Sequence, residues 1–339
     1  MFSDGSQKEN QQPGYLNSPS LVGLAQELPE VLQHARAPNT NKCYGLAYAR
    51  WKKWAEIYPE VSILPANPLH ITLYLVFLAK SAKSYSVINS AVSAISWAHS
   101  LAGLDTPTKN PLVLETINGL KRKLARPSVR KEPFEREHIH KLIEAVNTDS
   151  ITDVRNTLII VLAYFAFLRV DELRHVENQH LKISSSHLEI TLPRSKCDQL
   201  RQGTQVLIAR LGGKYCPIKL LEYYITLKTN VSNETDSGSQ YFFRRLLVKK
   251  SGITLTDKVV PMTYSNIRDV VKRKATQLGL DPKRFGTHSM RAGGATTAAN
   301  SLVADRIFQK HGRWATSSSK DRYVKDNETQ RLEVSKAIG

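Results

Sequence analysis

The segment THSMRAGGATTAA, residues 287–299, sets His288 and Arg291 one helical turn apart, ahead of a run of small residues. Side chains three residues apart share a helix face, and the first turn of a helix presents unpaired N–H groups and the positive end of its dipole. An imidazole and a guanidinium there make a cradle for phosphate, with Thr287 as the expected cap. Gly293 and Gly294 allow that helix to pack closely on a neighbour. Taken alone, an H-x-x-R pair is equally a satisfied histidine beside a surface arginine. Downstream, KHGRWATSSSKDRYVKD (310–326) puts Trp314 nine residues before Tyr323, in polar helical sequence where no core demands an aromatic. Upstream, Arg169 in FLRVDEL ends a buried apolar run, where a cation is costly unless an anion meets it.

These residues need a scaffold, and 339 residues are enough for two domains. Residues 1–20 are polar, rich in Ser, Asn, Gln and Pro, and read as a flexible tail. Residues 21–125 carry helical spacing, as in YGLAYARWKKWAEIY and SYSVINSAVSAISWAHSLAG, predicting four or five helices and no strand. In the helix predicted from Ser84 to about Ala102, Val87, Ala91, Ile95 and Ala98 line one face. Such a helix suits a DNA groove and suits an ordinary bundle equally well. LKRKLARPSVRKEP then gathers Lys121, Arg122, Lys123, Arg126, Arg130 and Lys131 around two prolines, the composition of a linker, drawn at 126–134. A basic linker can touch phosphates, although a solvated charge run looks the same.

In residues 135–339, RNTLIIVLAYFAFL reads as a buried helix ending abruptly at Arg169, followed by a short helical piece in RVDELRHV. Period-two alternation follows in LKI (181–183) and, after a turn at 184–186, in HLEITL (187–192). QVLIA continues it past a polar bend that carries Lys196. Helices dominate from Pro217 onward, apart from the loop TNVSNETDSGS and a short hairpin near 241–261. The expected class is mainly α, with a small antiparallel β-sheet in the C-terminal half and an all-α N-terminal half.

The formal charge is +18, so polyanions, nucleic acid foremost, are the expected partners. Cys43, Cys197 and Cys216 are too few and too scattered for a disulfide framework and offer no CxxC pair for zinc. No carboxylate cluster for magnesium is evident, which disfavours a metal-dependent nuclease. No apolar run reaches membrane length and the N-terminus lacks a signal-peptide core, predicting an intracellular protein without membrane attachment. Asn230 and Asn233 therefore read as loop residues rather than glycosylation sites.

The order Arg169, Lys196 in a β-turn, His288 and Arg291 in H-x-x-R, Trp314 and Tyr323 resembles the tyrosine recombinase (phage integrase) family. The resemblance is close over the C-terminal half and loose over the helical N-terminal half. It implies an enzyme that cuts and rejoins DNA with neither metal nor ATP. Tyr323 would be the nucleophile, giving a 3′-phosphotyrosine and a free 5′-hydroxyl. Arg169 and Arg291 would clamp the non-bridging oxygens, where guanidinium forks suit phosphate. His288 would bond the phosphate or help take the tyrosine proton, and Lys196 would protonate the departing 5′-oxygen, with Lys182 and Arg194 close by in sequence. Trp314 stands where most of the family carries histidine; its N–H donates but shuttles no proton. His311 competes for that place, but the interval to the tyrosine selects Trp314. Glu172 matches an acidic family position that buttresses the site, with a helix-surface carboxylate as the plainer reading.

Family architecture further implies a C-shaped clamp on duplex DNA, with a core-binding domain (21–125) on one face and the catalytic domain (135–339) on the other. Lys121, Arg122, Lys123, Arg126, Arg130 and Lys131 would contact DNA, and four protomers on two recombination sites would join through the segment after Tyr323. Two other readings remain: a DNA-binding protein that kept the fold and lost the chemistry, and a type IB topoisomerase that needs only one duplex. The expected compartment is nuclear in a eukaryotic host and cytoplasmic otherwise.

Overall fold

The computed structural model describes residues 18–127, 130–193, 203–231, 240–249, 252–256, 259–301, 303–326 and 328–339. The chain divides into two units, one ending at Ser128 and one beginning at Val129, a division that falls within the basic, proline-bearing stretch.

Among the described residues the first unit holds five α-helices: α1 (Pro19–His34), α2 (Pro38–Ala55), α3 (Pro68–Ser81), α4 (Ser86–Leu101) and α5 (Pro111–Lys123). Pro19, Pro38, Pro68 and Pro111 sit in first turns, where a fixed φ and a missing N–H cost nothing. Hence α1 begins at Pro19, inside the stretch read as tail. Asn67 and Asn110 cap α3 and α5, their side-chain oxygens accepting from the Leu69 and Leu112 N–H groups at 2.8 and 3.0 Å. The core centres on Trp51, Trp54 and Tyr74, whose rings stand 5.2–5.6 Å apart, with Ile71, Leu75, Ile88, Ile95 and Val113 around them.

The buried face of α4 is Ile88, Ala91, Ala94, Ile95 and His99, turned by about one residue from the expected Val87–Ala98 stripe. His99 explains the shift: its Nδ1 donates to the Ile95 carbonyl (2.8 Å) and its Nε2 accepts from the Ala66 N–H (2.9 Å), so a polar ring is satisfied in the core. Lys121, Arg122 and Lys123 form the last turn of α5 rather than linker, where cations complement the helix dipole.

The second unit begins with α6 (Arg136–Glu144) and α7 (Ile151–Phe165), the latter buried around its whole circumference from Val154 to Tyr164. Helix α7 stops four residues short of Arg169, because Phe167 turns the backbone left-handed (φ +46°). After α8 (Val170–Arg174) come β1 (Leu181–Ile183), β2 (His187–Leu192) and β3 (Thr204–Ala209), antiparallel in the order β1-β2-β3. Leu188 faces Ile208 and Ile190 faces Val206, so alternate residues of β2 enter the core as the period-two pattern requires. Then follow α9 (Pro217–Val231), the hairpin β4 (Leu246–Lys249) and β5 (Gly252–Leu255), and α10 (Tyr264–Gln277). The chain closes with α11 (Ser289–Asn300), α12 (Asp305–Gly312), α13 (Ser317–Asp321) and α14 (Glu328–Ile338). The architecture is mainly helical with small antiparallel sheets, and no helix among the described residues is long and apolar enough to cross a membrane.

Candidate active site

Two glycines let helix α11 approach its neighbours closely, Gly294 against the end of α7 and Gly293 against the chain before α6. A Cβ on Gly293 would strike the backbone of Phe134, and one on Gly294 would strike the Tyr164 carbonyl and the Phe167 ring. That approach carries Arg291, one position ahead of Ala292, into the second unit with no exposed surface. Its Nη1 donates to the Phe167 carbonyl and its Nη2 to the Gly312 carbonyl (2.5 Å). Thr287 does not cap α11: His288 holds the N-cap position without a side-chain cap bond, and the Thr287 hydroxyl instead lies 3.2 Å from that of Tyr264.

Aromatic rings enclose the Arg291 guanidinium. Its central carbon stands 4.6 Å from the centre of the Trp314 ring and 4.9 Å from that of Tyr323, distances at which a desolvated cation is attracted to a π face. The Trp314 and Tyr323 rings are 5.7 Å apart, and the exposed His288 has its ring 6.2 Å from that of Tyr323. Gln309 fixes Trp314 from both sides, its carbonyl accepting from the Trp314 N–H (3.2 Å) and its Nε2 donating to the Trp314 carbonyl (3.0 Å). Tyr323 is half-buried and follows α13 rather than lying within it. Thr296 of α11 holds the same segment: its hydroxyl donates to the Tyr323 carbonyl (3.3 Å) and accepts from the Lys325 N–H (3.1 Å).

Arg169 is the N-cap residue of α8. Its backbone N–H and Nη1 both reach Glu172, at 2.8 and 2.6 Å. Glu172 is a buried carboxylate, not a helix-surface one, and its Oε2 also accepts from Arg313 Nη2 (2.9 Å). Burial alone pushes this carboxyl upward, but the Arg313 and Arg169 charges with the Arg169 N–H outweigh it and hold the group below its ordinary value. For Arg291 the balance runs the other way. Desolvation first, then the Arg169 and Arg313 charges, push its pKa down to about 9. Two buried donors in this cluster, Arg291 Nε and Trp314 Nε1, have no partner among the described residues. A pocket crowded with cations and holding unmet N–H groups is built for an anion.

Arg169, Glu172, His288, Arg291, Trp314 and Tyr323 are thus gathered in one place by α8, α11, α12 and the chain after α13. Lys196 lies outside the described residues, as do Arg194 and Cys197; the flanking Leu192 and Thr204 pair across β2 and β3. His311 does not join the cluster: its Nε2 donates to the Phe165 carbonyl (2.8 Å) and its ring packs on Phe167. Lys121, Arg122, Lys123, Arg126, Arg130 and Lys131 are all exposed, and Lys131 Nζ donates to the Lys283 carbonyl (2.5 Å), tying that residue to the turn at Pro282–Arg284. Among the described residues no group of three His, Cys, Asp or Glu could hold a metal ion. Sequence reasoning passed over Arg313, Thr296 and the Phe167 carbonyl, none of which carries a local signal.

Three comparisons bear on this geometry. Residues 133–330 match the model of the phage integrase family. Over 313 residues the chain is 26% identical to the integrase/recombinase xerD homolog of Selenomonas ruminantium, covering 89% of this chain and 87% of that protein. It is 22% identical over 295 residues to recombinase cre of Escherichia phage P1, covering 82% of each. Among solved structures, the XerH site-specific recombinase bound to a palindromic difH substrate, a post-cleavage complex, shares the fold with a TM-score of 0.61. The identity there is 13%, over 87% of this chain and 78% of that one.

Proposed function

The chain belongs to the phage integrase family, the tyrosine recombinases, and from that premise we propose that it cuts and rejoins duplex DNA through Tyr323 in site-specific recombination or integration. The Tyr323 Oη attacks the scissile phosphorus, the bond to the 5′-oxygen breaks, and a 3′-phosphotyrosine and a 5′-hydroxyl result. Attack by the 5′-hydroxyl of another strand reverses the step and reseals the backbone. One phosphodiester is exchanged for another, so the cycle needs no ATP and no metal.

Arg291 and Arg169 hold the non-bridging oxygens, and Trp314 Nε1 adds a third donor. His288 bonds the phosphate or takes the phenol proton, and Lys196 gives a proton to the departing 5′-oxygen. The observation that carries this reading is the placement of a buried arginine against both the Trp314 and Tyr323 rings, with Arg291 Nε and Trp314 Nε1 left without partners among the described residues. A phosphate oxygen supplies what both donors lack. The +18 charge and the exposed cations from Lys121 to Lys131 support DNA contact along that stretch, with residues 21–125 as the core-binding domain and 135–339 as the catalytic domain.

Assembly into a tetramer on two sites is supported by α14, which leaves Leu332, Val334 and Ile338 exposed. The same unit carries an apolar cavity of about 330 Å³ lined by Tyr164, Phe167, Ala298, Ile307 and Phe308, suited to such a helix from a neighbouring protomer.

Covalent capture tests the reading. Wild type and Tyr323→Phe are incubated with a pool of nicked duplexes and denatured in SDS, and the attached DNA is sequenced; the nick lets the short fragment that carries the 5′-hydroxyl diffuse away and traps the intermediate. Tyrosine-dependent adducts on a common sequence are expected. Salt-sensitive binding without any adduct would replace the reading with that of a DNA-binding protein that lost its chemistry.

A further inference from the structure

Arg313 has a left-handed backbone (φ +55°, ψ +46°), a conformation glycine adopts freely and arginine adopts only when its surroundings hold it there. What holds it is its own guanidinium. Nη1 donates to the carbonyls of Ala166 (3.2 Å) and His311 (2.9 Å), and Nη2 to the Phe167 carbonyl (2.8 Å) and to Glu172 Oε2 (2.9 Å). The side chain is 4% exposed.

Two of those acceptors are the supports of the phosphate clamp. Glu172 uses its other oxygen to orient Arg169, and the Phe167 carbonyl also accepts from Arg291 Nη1. Phe167 is itself left-handed, so the carbonyl points as it does only while that second unfavourable backbone is maintained. We propose that Arg313 is a positioning residue for the clamp, fixing Arg169 through Glu172 and Arg291 through the Phe167 carbonyl, while its left-handed turn sets Trp314 beside them. The proposal rests on the recombinase reading of Arg169 and Arg291.

Arg313→Gly separates this role from simple packing, because glycine accepts the backbone and only the guanidinium is lost. Misplacing the clamp by about an ångström lowers the chemical step roughly 100-fold. The single-turnover rate of Tyr323 adduct formation on the captured duplex should fall by that order with DNA affinity unchanged. Millimolar guanidinium ion, but not sodium ion at the same concentration, should restore part of it. Glu172 provides a readout that needs no catalysis. Without Arg313 its carboxylate protonates at higher pH, so the acid side of the melting-temperature profile moves to higher pH, and in a Glu172→Gln background it does not move. If Arg313→Gly does not fold, Arg313→Asn, which tolerates a left-handed backbone and removes both the charge and the fork, carries the same measurements.

A wild-type rate in the variant, or a rate loss matched by lost DNA binding with no response to guanidinium, overturns the proposal, as does an unmoved acid limb. Absence of a wild-type adduct would instead count against the recombinase reading, and the acid limb would then decide the placement of Glu172 by itself.

Discussion

Gly312 is the position where one methyl group should divide stability from activity. It ends α12, and its carbonyl accepts from Arg291 Nη2. A Cβ there would overlap Cζ3, Cε3 and Cη2 of Trp314 deep inside van der Waals contact, so the indole must retreat by more than about an ångström to restore ordinary packing. Two effects compete in Gly312→Ala. Helix propensity favours alanine by about 1 kcal/mol, whereas overpacking a full interior costs about 1–3 kcal/mol. The net change is a loss of at most about 2 kcal/mol, which leaves a folded protein. The chemistry should suffer far more. Trp314 faces Arg291 at 4.6 Å and Tyr323 at 5.7 Å, and an ångström of displacement within such a constellation costs about 100-fold in rate. The assay is single-turnover adduct formation on the captured nicked duplex, alongside urea unfolding and DNA binding. A variant that is more stable than wild type and cleaves at the wild-type rate would refute the claim that the Trp314 ring is wedged against Gly312 for function.

Three further outcomes follow from the same geometry. Arg291→Lys keeps a charge but cannot reach both the Phe167 and Gly312 carbonyls; the Phe167 carbonyl keeps its bond from Arg313, so leaving the Gly312 carbonyl bare should cost about 1–3 kcal/mol in urea unfolding, and losing a transition-state donor about 100- to 1000-fold in adduct rate. Burial, aided by the Arg313 and Arg291 charges, holds the His311 imidazole below its ordinary range against the opposing Phe165 carbonyl bond. Its contribution to stability is therefore present above about pH 6.5 and lost as pH falls through the lowered folded value, so the melting temperature should drop more steeply between pH 6.5 and 5 in wild type than in His311→Gln. Deleting residues 327–339 should leave binding to a single site near wild type while higher complexes disappear from native gels, and equal loss of both would remove α14 from assembly.

What could be read from the sequence is what repeats or what is chemically costly. The period-two run HLEITL became β2, and RNTLIIVLAYFAFL became the all-round buried α7. Of the residues in the order from Arg169 to Tyr323, the fold gathers Arg169, His288, Arg291, Trp314 and Tyr323, while Lys196 lies outside the described residues. The errors have equally local causes. The buried stripe on α4 lies one residue from the apolar one in its sequence because the core also takes in His99, whose nitrogens are both satisfied by Ile95 and Ala66. Phe167 and Arg313 were beyond reach. Nothing in FAFLR or HGRW demands a positive φ, and what imposes it is a set of hydrogen bonds between segments about 145 residues apart in sequence.

That distant bonding also accounts for why the site tolerates so much uncompensated charge. Arg169, Arg291 and Arg313 surround one carboxylate, Glu172, and the strain appears on Arg291, whose pKa burial and its cationic neighbours bring down to about 9. A folded protein would relieve such crowding by losing an arginine or gaining an acid, unless the missing negative charge arrives with the substrate. A phosphodiester brings one charge, and the transition state for its exchange concentrates more on the oxygens that Arg291 and Arg169 face in the proposed mechanism. In the proposed mechanism the site would bind the transition state better than the ground state, because relief of its own repulsion would grow along the reaction, the differential binding that speeds a chemical step.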